Sequence, residues 1–288
     1  MTMTKVWAAS AAAGMLVMTG AAHAFADTTV VVTPANQQGW STADTRPGGT
    51  VTFVVDAQSP YPAGALQLTT DATTTAKAQY LHAANTPLSS VTTLSYYTSQ
   101  VSGPPVADPS YQLVMCLTGG NFPTCGGFST LVFEPYQNPQ LGPIVPNTWQ
   151  KWDVAAGLFW STRTVVCSNG TVAGTPGGPA TYTLAQIKTM CPNAVVAGFG
   201  VNIGIFNPGY VVRTDGFNFN GTVYDFQVTN APTSKEQCKH GGFVNYTDAQ
   251  GQAFKNQGQC VAFVESQDPN DQGAGSGEGD EQDGNQQS

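Results

Sequence analysis

The chain has 288 residues, only a tenth of them charged, and its net charge of −8 is unevenly placed. From Asp27 to Val264 there are 11 acids and 9 bases, whereas Glu265 to Ser288 holds 7 acids and no Lys or Arg. A nearly neutral body without a basic groove and interleaved aromatics excludes nucleic acid as a partner.

At the N-terminus, Lys5 precedes an apolar stretch from Val6 through Ala22. Two small-x-small patterns follow, Ala22-His23-Ala24 and Ala24-Phe25-Ala26. That order is what a signal peptidase reads, so residues 1–26 are predicted to be removed and Asp27 to become the mature N-terminus. Gly14, Ser10 and Thr19 interrupt the run, which argues against an uncleaved anchor of ~20 apolar residues. No later stretch is apolar enough to span a bilayer, so the mature protein is expected to be secreted, soluble and free of membrane insertion.

Residues 27–230 read as strands between turns. Runs rich in β-branched or aromatic residues stand at 28–33, 50–55, 65–69, 92–97, 111–115 and 129–133, several of them alternating apolar with polar. Pro47-Gly48-Gly49, Pro60-Tyr61-Pro62 and Gly103-Pro104-Pro105 supply turn chemistry between them. Further strands are expected at 149–154, 159–165, 195–205 and 221–228. One helix is expected over Leu184 to Met190, with Thr183 as cap and Pro192 as stop. Many short strands with one small helix predict an all-β fold, an antiparallel β-sandwich of the jelly-roll kind. Residues 231–264 read as a small Cys-bounded module. Residues 265–288, built of Gly, Gln, Asp and Glu, read as a disordered tail.

All six cysteines follow the cleavage site, and an even number in an exported chain reads as a disulfide framework. Six cysteines allow 15 connectivities. Their clustering points to three local bridges: Cys116 with Cys125, Cys167 with Cys191, and Cys238 with Cys260. Zinc is disfavoured, because no CxxC spacing exists and only His82 and His240 remain after cleavage.

Catalytic signatures are sparse. The sequence has no G-x-S-x-G elbow and no HExxH, and each of the two histidines reads as a surface or locally satisfied imidazole. Glycoside hydrolysis needs two facing carboxyl groups, and the only Glu of the 27–230 body is Glu134, so Glu134 with Asp153 is the candidate pair. Trp40, Trp149, Trp152 and Trp160 are candidates for stacking on a sugar ring. Trp149 and Trp152 are three apart and so point to opposite sides of a strand, one into the core and one out.

Two sets of motifs carry a resemblance. Trp149-Gln-Lys-Trp152-Asp153, Phe159-Trp160-Ser161, the 184–190 helix with Cys191-Pro192-Asn193-Ala194, Gly200-Val201-Asn202-Ile203-Gly204, Asp215-Gly216-Phe217 and Thr222-Val-Tyr224-Asp225-Phe226 follow one another in order. Together they resemble a group of uncharacterised bacterial secreted proteins with a carbohydrate-binding-like jelly roll. Cys238-Lys-His-Gly241-Gly242-Phe243 and Phe254-Lys-Asn-Gln-Gly-Gln-Cys260-Val261 resemble a C-terminal module appended to such proteins, in which Trp more often follows the Gly pair. The resemblance implies a structural Ca²⁺, for which Asp215, Asn218 and Asp225 are candidate ligands. Too few apolar residues lie between Cys238 and Cys260 for an independent core, so the bridge is expected to hold the module against the sandwich. The leading expectation is a non-catalytic secreted protein that binds an extracellular glycan or cell-surface component. A glycan hydrolase or lyase using Glu134 and Asp153, and a structural envelope-associated protein, are the alternatives.

Overall fold

The structure, a computed structural model, describes residues 27–61, 64–104, 106–249 and 252–267. The leader and most of the acidic tail lie outside the described residues. Sixteen strands occur in chain order: β1 (Thr28–Val32), β2 (Trp40–Ser41), β3 (Gly49–Val55), β4 (Gly64–Thr70), β5 (Ala78–Pro87), β6 (Leu94–Ser102), β7 (Ser110–Gly119), β8 (Gly126–Phe133), β9 (Gln150–Asp153), β10 (Leu158–Ser161), β11 (Val165–Cys167), β12 (Gly170–Val172), β13 (Tyr182–Thr183), β14 (Val195–Ile203), β15 (Val211–Phe219) and β16 (Thr222–Phe226). Three α-helices join them: α1 (Leu184–Met190), α2 (Lys235–Cys238) and α3 (Gln257–Gln267).

Two seven-stranded sheets face each other, as the sandwich expectation requires. The second runs β13-β10-β8-β7-β14-β5-β2. The first runs β9-β6-β15 and then forks. The Val211–Thr214 half of β15 pairs with β4 and so with β3, and its Phe217–Phe219 half pairs with β16 and so with β1. All these pairs are antiparallel except β1 with β16. Apolar alternation drives the two sheets together, since each strand has one face it must remove from water. Between them Tyr111 of β7 stacks on Phe217 of β15 at 4.2 Å between ring centroids. Trp40 sits among Tyr80, Phe199, Phe217, Tyr224 and Phe226.

All three expected disulfides form. The α1 helix also forms where expected. Thr183 accepts from the Gln186 N–H and the Gln186 side chain accepts from the Thr183 N–H, a reciprocal capping box. The expected 159–165 strand is instead two strands, β10 and β11, interrupted at residues 162–164. Two long strands, β5 and β15, were not expected.

The C-terminal module differs from expectation. Cys238, Phe254 and Cys260 are buried together, and Phe243, Tyr246, Val261, Phe263 and Val264 pack on them as a cluster separate from the sandwich core. Three of those apolar residues follow Cys260, so a count made between the cysteines misses them. The Cys238–Cys260 bridge joins α2 to α3 inside the module and does not tie it to the sandwich. Helix α3 continues through Gln267 and so takes in the first three residues of the expected tail.

Candidate functional site

Two carboxyl groups, Asp108 and Glu134, line one pocket, and each stands immediately before a proline. Proline disfavours helical backbone at the preceding residue, which suits Asp108 to the entry of β7 and Glu134 to the exit of β8. Glu134 is extended, with φ −126° and ψ 126°, and Pro135 opens a 3-10 turn over Pro135–Gln137. Buried Asn138 fastens that turn to β10. Its side chain donates to the carbonyls of Glu134 and Leu158 and accepts from the Leu158 N–H at 2.7 Å. On the other side, the Tyr96 hydroxyl donates to the Pro109 carbonyl at 2.5 Å and holds the 106–109 segment down.

Between these segments lies a pocket of about 280 Å³ lined by Val106, Ala107, Asp108, Ser110, Glu134, Tyr136, Asn202, Ile203, Gly204 and Asn207. Strand parity explains the polar lining. Tyr111 and Leu113 of β7 and Val201 and Ile203 of β14 are buried in the core, so Ser110 and Asn202 point the other way. Those two are register partners, and the Asn202 amide donates to Gln79 of β5 at 3.1 Å. Tyr136 also lines the pocket and is 47% exposed.

The carboxyl groups are held differently. Asp108 is 4% exposed. Its Oδ2 accepts from the Thr98 hydroxyl at 2.7 Å, and Thr98 in turn accepts from the Trp152 indole N–H at 2.7 Å. Its Oδ1 is buried without a partner among the described residues. Burial pushes the Asp108 pKa up to about 6, against the Thr98 hydrogen bond that lowers it. Glu134 Oε2 accepts from the Trp160 indole and the Gln137 amide, both at 2.6 Å. Burial raises the Glu134 carboxyl too, and these donors pull it back. The buried Tyr96 phenol is pushed well above its ordinary value, first by burial and then by the charges of Asp108 and Glu134, so both carboxyls act on one region.

The structure redistributes the roles expected of the sequence. Trp40 and Trp152 are 3% and 1% exposed, so neither can stack on a ligand, and both are corrected to core residues. Trp149 is partly buried just ahead of β9, so it is off the strand that was expected to turn it outward, and it does not line the pocket. Trp160 is partly buried and acts on Glu134 through its indole N–H. Asp153 is not brought to Glu134: its carboxylate accepts from the Ala156 N–H and caps a turn beside the first sheet. The carboxyl that shares a pocket with Glu134 is Asp108. His82 is fixed by the carbonyls of Ala83 and Gln38 and stacks on Phe199, away from the pocket.

The three residues expected to hold calcium are hydrogen-bonded within the sandwich. Asp215 stands where β15 forks, and its oxygens receive the Ser59 hydroxyl and the Phe226 N–H. The Asn218 oxygen receives the Gly221 N–H, and an Asp225 oxygen receives the Gln227 amide. Oxygens committed to hydrogen-bond donors do not form an open cation cage, and no group of three His, Cys, Asp or Glu is gathered for a metal among the described residues. Burial raises Asp215 to about 8 and Asp225 to about 6.

Asp108, Ser110, Asn202 and Asn207 had no sequence signal of their own. Asp108 lies in Val106-Ala-Asp-Pro-Ser110, whose sole mark is the proline before a strand.

Compared with known proteins, the chain matches no protein-family model and no curated protein. Among solved structures it is similar to a family 11 carbohydrate-binding module from Clostridium thermocellum in complex with a β-1,3-1,4-mixed-linked tetrasaccharide. That likeness has 11% identity and a TM-score of 0.37, covering 65% of this chain and 91% of that one. A carbohydrate-binding module of the β-sandwich superfamily described for promiscuous specificity gives 12% identity and a TM-score of 0.33, covering 68% and 63%. An arabinose-bound α-L-arabinofuranosidase gives 8% identity and a TM-score of 0.32, covering 64% and 23%. At such scores these likenesses carry no argument, and the sandwich stands on its own strand pairing. Among the described residues no helix is long and apolar enough to cross a membrane.

Proposed function

We propose that the sandwich is a non-catalytic glycan-binding domain of a secreted protein, and that the pocket between Asp108 and Glu134 holds the sugar. The carrying observation is that one pocket combines hydroxyl, amide and carboxyl groups (Ser110, Asn202, Asn207, Asp108 and Glu134) with an exposed Tyr136 ring. Sugars offer the complement, a ring of hydroxyls and an apolar face. The volume of about 280 Å³ falls just below the ~300–1,000 Å³ typical of ligand pockets, which suits the end of a saccharide better than the middle of a chain. The three disulfides fit an oxidising compartment. Membership of the secreted jelly-roll group, with its appended C-terminal module, belongs to the same proposal.

Retention of the protein on a panel of insoluble and soluble polysaccharides tests this reading. The expected result is retention on at least one of them, lost in Tyr136→Ala; retention on none contradicts it. A glycan hydrolase is the second reading, favoured by a buried and a partly buried carboxyl, both with raised pKa, in one pocket. It requires release of reducing ends that disappears in both Glu134→Gln and Asp108→Asn.

A further inference from the structure

The pocket is acidic without compensation. Its lining includes two carboxyl groups and no Lys, Arg or His. The influences on Asp108 are burial and the Thr98 hydroxyl; those on Glu134 are burial and the neutral donors Trp160, Gln137 and Tyr136. None is a cation. The ion pairs among the described residues involve Asp44, Asp56, Glu236 and Glu265, and neither pocket carboxyl takes part.

A buried carboxylate without a counter-charge is costly, and Asp108 keeps one buried oxygen unpartnered. A neutral hydroxyl could meet one oxygen but leaves both charges uncompensated. A uronate or sulfated sugar would add like charge. An ammonium group has three donors and a positive charge, so it supplies the counter-charge that this lining lacks.

We infer that the pocket selects saccharides that carry a free primary ammonium group, that is, unacetylated 2-amino-2-deoxy sugars, over their N-acetylated and neutral counterparts. The inference rests on the glycan reading of the same pocket and names its ligand class. Calcium fits less well, since no third carboxyl group joins the two at this lining.

Calorimetric titration of the full chain with three tetrasaccharides tests it: fully deacetylated glucosamine, N-acetylglucosamine and cellotetraose. The pH is held just above the value of about 6 to which burial raises Asp108. The amine tetramer should bind tighter than the other two by about tenfold, as a charge-assisted hydrogen bond is worth. Its binding should weaken as salt rises. Glu134→Gln, checked for folding by its melting curve, should abolish the preference; if that variant does not fold, the salt dependence of the unaltered chain carries the test. Equal or tighter binding of the acetylated or neutral tetramer overturns the inference and leaves glycan binding intact. Calcium chloride displacing the amine tetramer at equal ionic strength, with sodium chloride inert, also overturns it. Binding of none of the three overturns it alone if the polysaccharide panel retains the protein, and together with the glycan reading if it does not.

Discussion

Trp160 and Trp40 have the same side chain and opposite uses. Trp40 is enclosed by five aromatic rings, so Trp40→Ala should cost ~3–5 kcal/mol, the usual loss for a buried large aromatic. Urea unfolding measures that cost, and saccharide affinity of the folded fraction should not change. Trp160 instead donates to the Glu134 carboxylate. Trp160→Phe removes a donor that favours the charged form, so the Glu134 pKa should rise further above its ordinary value. Titration of the labelled carboxyl carbon by NMR reads the shift, and a fall would contradict it. Glu134 was legible in the sequence because it is the sole Glu of the sandwich. Asp108 was not, because nothing local distinguishes a loop aspartate that a distant Thr98 holds. The tryptophans misled for a similar reason: the face a ring occupies depends on the partner sheet.

At the scale of elements, local rules located what local forces build. The α1 cap is readable from Thr183 and Gln186, and Thr183→Ala should destabilise by ~1 kcal/mol, the common cost of a lost N-cap, measured by thermal unfolding. The strands β5 and β15 were illegible. β15 carries Arg213, Asp215, Gly216 and Asn218, residues that suppress a strand signal, yet it is the hub of the first sheet. Asp215 and Gly216 mark a break in its pairing register with β6. Gly216 has φ +54°, and a Cβ there would come within 2.5 Å of the Tyr61 ring, so the position requires glycine. β5 is held between β14 and β2 by tertiary pairing that its Ala- and Asn-containing sequence does not announce. In the C-terminal module, the Cys238–Cys260 bridge spans 22 residues and in the chain-entropy model is worth ~3 kcal/mol. Replacing both with Ser should speed amide exchange across residues 231–267 and leave exchange in the sandwich strands unchanged.

For the whole molecule, three carboxyls, two buried and one partly buried, bind their protons more tightly in the folded chain than in the unfolded one. Asp108 and Asp225 are raised to about 6 and Asp215 to about 8, each by burial first. Their contribution is fully present below the ordinary aspartate value of ~4 and is lost as pH rises through about 6 and then about 8. The melting temperature should therefore fall between those limits. Asp215→Asn, which can still accept from the Phe226 N–H and donate to Ser59, should flatten the upper part of the fall. The sandwich class itself was legible, since many short alternating runs between proline and glycine turns leave few other architectures. The pocket was not, because it is assembled from four segments between residues 106 and 207 that only the fold brings together.

The central claim is that a sugar occupies the space between Asp108 and Glu134. Retention of the intact chain on immobilised polysaccharides, beside Tyr136→Ala and the core-facing Val201→Ala, tests it most directly. The expected result is retention on at least one polysaccharide that Tyr136→Ala loses and folded Val201→Ala keeps. Retention unchanged in Tyr136→Ala, or absent from every polysaccharide in the unaltered chain, would contradict it.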